Sequence, residues 1–140
     1  MPLKPKVALL RGSLLSPFET QSYGLLAREF EFTALVPHRT AFDLSGVEIR
    51  RRSLWCPLEA GLRFQDTARN ARALQARLGG RGVSYCGMAG LLEGFDICHV
   101  MDQYFCYCFE AVAARQRGGT RIVVTQWENI PHLNEGKFFS

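Results

Sequence analysis

The sequence predicts an α/β fold: a parallel sheet covered by helices on both faces. Three observations predict it. Short apolar runs at 6–10, 32–36, 96–100 and 121–125 are rich in strand-favouring residues. Stretches of helical length separate the first pair and the last pair, so each end of the chain reads as a strand-helix-strand unit. Glycines and prolines fall at the seams between these segments.

Lys6 to Leu10 follows two prolines and runs into Arg11-Gly12-Ser13, a buried first strand leading into a loop. Ser16-Pro17-Phe18-Glu19 then supplies an N-cap hydroxyl, a proline at the first helical position and a glutamate at the third, the arrangement that satisfies orphan N–H donors from both directions. The helix is expected from Pro17 to about Glu29. Phe30, Phe32, Ala34 and Val36 alternate and stop at Pro37, which gives the second strand. Val47 to Arg50 is a weakly patterned third strand, in which only Val47 and Ile49 alternate before the Arg50-Arg51-Arg52 run.

Asp66 to Leu78 carries Ala68, Ala71, Leu74, Ala76 and Leu78 with arginines on the other side, and Gly79-Gly80 ends it as a helix. Tyr85 to Glu93 reads either as a further helix broken by Gly87 and Gly90 or as a loop, and Gly94 hands the chain to the strand at Asp96–Val100. Asp102 stands at the N-cap of an amphipathic helix that closes with Arg115, Arg117 and Gly118-Gly119. Arg121–Thr125 is the last strand, also expected to be buried. Right-handed crossovers then favour a Rossmann-like sheet of order 3-2-1-4-5. The loops Met101–Tyr104 and Gln126–His132 leave the carboxyl ends of adjacent strands and should share one rim of the ligand crevice.

Composition narrows the function classes. The chain has 140 residues, 47% of them hydrophobic, enough for one core and one domain. No apolar run approaches the roughly 20 residues that span a bilayer, and MPLKPKVALLRG has too short an apolar segment for a signal peptide, so the expected location is the cytoplasm. Five cysteines, an odd number without a secreted framework's spacing, fit a reducing compartment. The formal charge of +4 suits anionic ligands or nearby lipid, which leaves peripheral membrane contact open. The arginine triplet without interleaved aromatics makes no nucleic-acid surface and reads as a solvated loop or strand end.

Several chemistries lack their residues. The loop after the first strand holds one glycine where a dinucleotide fingerprint needs three, so Gly12 is first of all a turn glycine. Cys106-Tyr107-Cys108 lies within a helix at a spacing that points the thiols apart, which reads as buried cysteine and gives no metal site. His99 reads as a satisfied core or rim histidine, and no nucleophile elbow is present. The remaining cluster is the rim itself: Asp102, Gln103 and Tyr104 with Gln126, Trp127, Glu128 and Asn129. Aromatic faces beside amides and carboxylates suit a hydroxyl-rich ligand; the competing reading packs Trp127 on the sheet end and leaves Glu128 solvated.

The stretch DICHVMDQYFCYCFEAVAARQRGGTRIVVTQWENIP resembles the acceptor-domain core of retaining GT-B glycosyltransferases of family 4, with a D-x-x-H strand, a helix, a second strand and a T-x-x-E-N loop. Pro17-Phe18-Glu19 stands where such enzymes commonly show Gly-Gly-x-Glu: Glu19 matches, and Pro17 and Phe18 replace the glycines. Gln126-Trp127-Glu128 stands where many members carry a histidine. The resemblance implies the N-terminal, acceptor-side domain (1–140) of an enzyme whose donor-binding C-terminal domain is absent from this chain, so that the piece alone is inactive. The whole enzyme would transfer sugar from a nucleotide-sugar donor to a sugar or lipid-linked hydroxyl acceptor, without metal or other cofactor. It implies Asp102, Tyr104, Trp127 and Asn129 at the acceptor, Glu128 as the acid/base, and Arg11, Gly12 and Ser13 toward the donor phosphates. The alternative class is a non-catalytic α/β ligand-binding or regulatory module.

Overall fold

The computed structural model describes residues 3–38, 40–55, 85, 87–101 and 106–126, with the side chain of Cys106 excepted. Five strands, β1 (Lys6–Leu10), β2 (Glu31–Pro37), β3 (Arg50–Leu54), β4 (Ile97–Met101) and β5 (Arg121–Thr125), form one sheet of order β3-β2-β1-β4-β5. Every pairing is parallel. The expected fold class and strand order are therefore those observed.

Helix α1 (Pro17–Leu26) opens as its sequence dictates: Ser16 Oγ accepts from the Glu19 N–H at 3.2 Å, and Glu19 Oε2 accepts from the Ser16 N–H at 2.9 Å. It ends a turn before the expected Glu29. The Ala27 N–H donates back to the Gly24 carbonyl, the Phe30 N–H to that of Leu26, and Lys4 Nζ donates to the Ala27 carbonyl at 2.8 Å, so these three carbonyls are satisfied without further helix. Of the two readings left open for Tyr85 to Glu93, the helix is correct but short: α2 (Met88–Leu92) begins just after Gly87 at φ +75 and contains Gly90. Helix α3 (Cys106–Gly118) closes on Gly119 at φ +75, whose N–H donates to the Arg115 carbonyl at 3.0 Å. The expected helix at Asp66–Leu78 and the Asp102 cap lie outside the described residues.

Strand alternation sorts the core into two layers. Ala8, Leu10, Leu35, Leu54, Cys98 and Val100 face α2 and α3, meeting Met88, Leu92, Tyr107, Ala111 and Ala114. Val7, Leu9, Ala34, Val36 and Met101 face the other way, with Leu15, Tyr23 and Phe32. Fully burying one such leucine or valine contributes roughly 1.5–3 kcal/mol, so these layers carry the fold.

Two strands differ from expectation. The third begins where it was expected to end: pairing starts at Thr33↔Arg50, and the arginine run is the strand itself. Val47 and Ile49 pack against the α1 layer just before it. As the outer strand of the sheet among the described residues, β3 tolerates exposed arginines; Arg50 pairs with Glu31 across the ladder, and Arg52 Nη1 donates to the Leu91 carbonyl at 3.2 Å. Strand β5 is not buried. Among the described residues it has one neighbour, and Val123 and Val124 are 48% and 44% exposed.

Asp96 precedes β4 and ties three strands at their entry. Its carboxylate accepts from the Lys6 N–H at 2.7 Å, its own N–H donates to the Lys6 carbonyl, and its carbonyl accepts from the Arg121 N–H. No helix among the described residues is long and apolar enough to cross a membrane.

Candidate functional site

The carboxyl ends of β1, β4 and β5 bring together side chains from distant parts of the chain. Met101 pairs with Thr125 across β4 and β5, so these two strands end side by side; of the rim expected at Met101–Tyr104 and Gln126–His132, only Met101 and Gln126 are among the described residues. The Met101 carbonyl accepts from Tyr107 Oη at 3.1 Å and from Arg11 Nη1 at 3.5 Å, which locks the end of β4 to α3 and to the loop after β1.

That loop forms a single 3-10 turn at Gly12–Leu14. Gly12 has φ +64 and is buried; a Cβ there would lie 2.8 Å from Tyr85 Oη and 3.2 Å from Tyr107 Cε1. Its glycine is required by the left-handed backbone and by two tyrosines of the same chain. Arg11 Nε donates to Glu19 Oε1 at 3.1 Å, with both side chains largely buried. The Ser13 carbonyl accepts from the Ala41 N–H at 2.8 Å. Of the three residues assigned to the donor-phosphate side, Arg11 is thus held inward by a carboxylate and Gly12 is covered by aromatic rings.

On the α1 side of the sheet, Phe18, Glu19, Gln21, Ser22, Tyr23, His99, Met101 and Thr125 line a pocket of about 430 Å³. This lies within the range of roughly 300–1,000 Å³ usual for small-molecule sites. The capping box places Phe18 and Glu19 in the first turn of α1, and Tyr23 stands one turn beyond Glu19 on the same face. Strand alternation turns His99 and Met101 toward α1 and Cys98 and Val100 away from it.

His99 is doubly bonded: Nδ1 lies 2.9 Å from Tyr23 Oη, and Nε2 lies 2.6 Å from Thr125 Oγ1. Burial holds the imidazole below its ordinary pKa, favouring the neutral ring. Burial, assisted by the nearby Glu19 carboxylate, pushes the Tyr23 phenol up to about 12. A continuous chain of hydrogen bonds therefore runs from α1 through β4 to the end of β5, with each member uncharged near neutral pH.

The expected satisfied histidine is what His99 is, and its two partners supply the satisfaction. Asp102, Tyr104, Trp127, Glu128 and Asn129 lie outside the described residues, as do Gln103 and His132. Cys98 and Cys108 are free thiols buried against the α3 layer; burial is the main cause pushing both above the ordinary thiol range, Cys98 to about 12. No group of three or more potential metal ligands occurs among the described residues. Reading the sequence missed Phe18, Tyr23 and Thr125 as pocket residues. The signals were present: Glu19 and Tyr23 are four apart on one helix, and Thr125 is two residues beyond the Val123 that pairs with His99, a diagonal that an imidazole can span.

Compared with known proteins, the chain matches no family model, no curated protein and no solved structure.

Proposed function

We propose that residues 1–140 form the acceptor-side domain of a retaining, nucleotide-sugar-dependent glycosyltransferase of the GT-B type. The observation that carries this reading is the pocket beside the carboxyl ends of β4 and β5 in a sheet of order 3-2-1-4-5, the two strands that Asp102–Tyr104 and Trp127–Asn129 follow in sequence. In this reading Asp102, Tyr104, Trp127 and Asn129 hold the acceptor and Glu128 carries the proton taken from its hydroxyl. Arg11 and Ser13 face the donor side, and a second domain supplies most of the stabilisation for the departing diphosphate. The enzyme works in the cytoplasm, with its acceptor free or at a membrane surface.

A second reading, a binding module without catalysis, is favoured by the loop after β1. Arg11 is engaged by Glu19, and the approach to Gly12 is filled by Tyr85 and Tyr107, so this loop offers no open phosphate cradle.

One assay separates the two. A protein carrying residues 1–140 together with a second α/β domain is incubated with UDP-, GDP- and ADP-sugars and hydroxyl acceptors in the presence of EDTA. The expected result is chelator-resistant transfer with the anomeric configuration retained by NMR. Acceptor binding without transfer from any donor, by a folded protein, overturns the enzyme reading in favour of the module.

A further inference from the structure

We propose that the pocket between α1 and the ends of β4 and β5 binds one ring of an uncharged cyclic polyol, recognised by Thr125 through the Tyr23–His99–Thr125 chain and seated on Phe18. This rests on the acceptor-side reading only in calling the ligand an acceptor; the binding itself follows from the pocket.

The chemistry of the lining selects the ligand. Among the described lining residues the one carboxylate, Glu19, is already occupied: Oε1 accepts from Arg11, and Oε2 accepts from the Ser16 N–H and lies 3.1 Å from Ser16 Oγ. Against these residues a charged ligand would lose water without meeting an open counter-charge among the described lining groups, which disfavours anions and cations alike. The other polar groups are Gln21, Ser22, Tyr23, His99 and Thr125, every one able to donate or accept without net charge.

His99 gives Thr125 its particular character. A neutral imidazole has one N–H and one lone pair. When Tyr23 donates to Nδ1, Nε2–H donates to Thr125 and leaves the threonine proton to offer a ligand. When Thr125 donates to Nε2, Nδ1–H donates to Tyr23 and the threonine oxygen keeps lone pairs for a ligand. Both settings satisfy the half-buried histidine, so Thr125 meets a donor or an acceptor equally well. A hydroxyl, itself both, is the group that fits. Phe18 contributes a ring that is 77% exposed at the pocket wall, and Met101, buried at its base, adds an apolar floor. A flat apolar wall beside bifunctional polar groups matches a polyol ring, which has a C–H face and a hydroxyl perimeter.

The test is an amide-NMR titration of the 140-residue chain with myo-inositol and, separately, with methyl α-D-glucopyranoside and methyl α-D-mannopyranoside, each to about 50 mM, covering the millimolar range typical of weak single-ring binding. Sodium phosphate and cyclohexanol are the charged and hydroxyl-poor controls. Saturable shifts at Phe18, Tyr23, His99, Met101 and Thr125 with at least one polyol, and with neither control, are expected; the arm that responds separates an inositol from a hexoside. Thr125→Val, which keeps the shape of the strand residue, should weaken binding at least tenfold and shift the His99 ring 15N signals, and Thr125→Ser should restore both. Phe18→Ala should weaken binding while the apo spectrum stays that of the folded chain, with shifts confined to residues near position 18. No response to any polyol, or affinity unaffected by Thr125→Val, overturns the proposal. Polyol binding without sugar transfer by the longer protein would reject the enzyme and leave this site standing; transfer without polyol response here would do the reverse.

Discussion

The Tyr23 hydroxyl lies 2.9 Å from His99 Nδ1, a hydrogen bond between residues 76 apart in sequence that joins the middle of α1 to the centre of β4. It fixes the orientation of the imidazole, and through it the position of the Thr125 hydroxyl on the next strand. Loss of Tyr23 Oη or Thr125 Oγ1 leaves a half-buried ring nitrogen without its protein partner, a cost of up to about 1 kcal/mol where water can replace it.

Burial of the His99 ring makes stability depend on pH in a stated direction. The folded protein holds His99 below its ordinary value of 6.5, so the unfolded chain takes up that proton first as the pH falls. The contribution of neutral His99 is complete above about pH 6.5 and is lost progressively below it, until the folded pKa is passed. His99→Gln should flatten this part of the acid limb in urea titrations between about pH 5 and 7. An acid limb in that window identical in wild type and variant would remove His99 as its source.

Gly12→Ala should be among the more damaging small substitutions. The left-handed backbone at φ +64 disfavours a Cβ by roughly 1–2 kcal/mol, and overpacking against Tyr85 and Tyr107 adds about 1–3 kcal/mol. Tyr85→Phe in the same chain removes the closest atom and should recover part of the second contribution only. Full recovery would mean that backbone conformation contributes nothing at this position. The measurement is the urea midpoint of the single and double variants.

Cys98 is 0% exposed and its thiol is pushed up to about 12, mainly by burial, so little thiolate exists at pH 8. Iodoacetamide at that pH should label Cys98 at the rate of global unfolding, and Cys108 slowly as well, with peptide mass spectrometry as the readout. Labelling of Cys98 within minutes in native buffer, unaccompanied by unfolding, would contradict the packing of the α3 layer.

At the proposed rim, Trp127→Ala in the longer protein should leave melting nearly unchanged while lowering acceptor-dependent turnover more than about tenfold, equivalent to 1.4 kcal/mol. If the indole instead belongs to the core, the same change costs roughly 3–5 kcal/mol of stability. Glu128→Gln, which keeps shape and removes charge, should abolish turnover while acceptor affinity persists. Normal turnover in both variants would transfer attention to the pocket around Thr125.

The sheet was legible in the sequence because its signals are local: alternation at Phe30–Val36, the capping box at Ser16–Glu19 and the paired glycines after Arg117 each report a boundary without reference to anything distant. The displacement of the third strand shows the limit. Arg50-Arg51-Arg52 reads as polar surface, and only pairing with β2 at the sheet edge turns polar surface into strand. The Tyr23–His99–Thr125 chain was harder to read for a related reason: its members come from three elements, and none is unusual in its own neighbourhood. His99 carried a hint, as a polar residue within an apolar run, and the expected strand order put β5 beside it, but naming its partners required the register His99↔Val123 and the seating of Tyr23 on that face.

Asp96 has a consequence for sheet phase. By engaging Lys6 through side chain and main chain and Arg121 through its carbonyl, one residue sets the zero of the ruler on three strands at once. Displacing β4 by a single position would invert its faces, turning His99 toward the cysteines and Cys98 toward Tyr23. The pocket at one end of the sheet is thereby aligned from the other, by an aspartate that touches none of the pocket's residues.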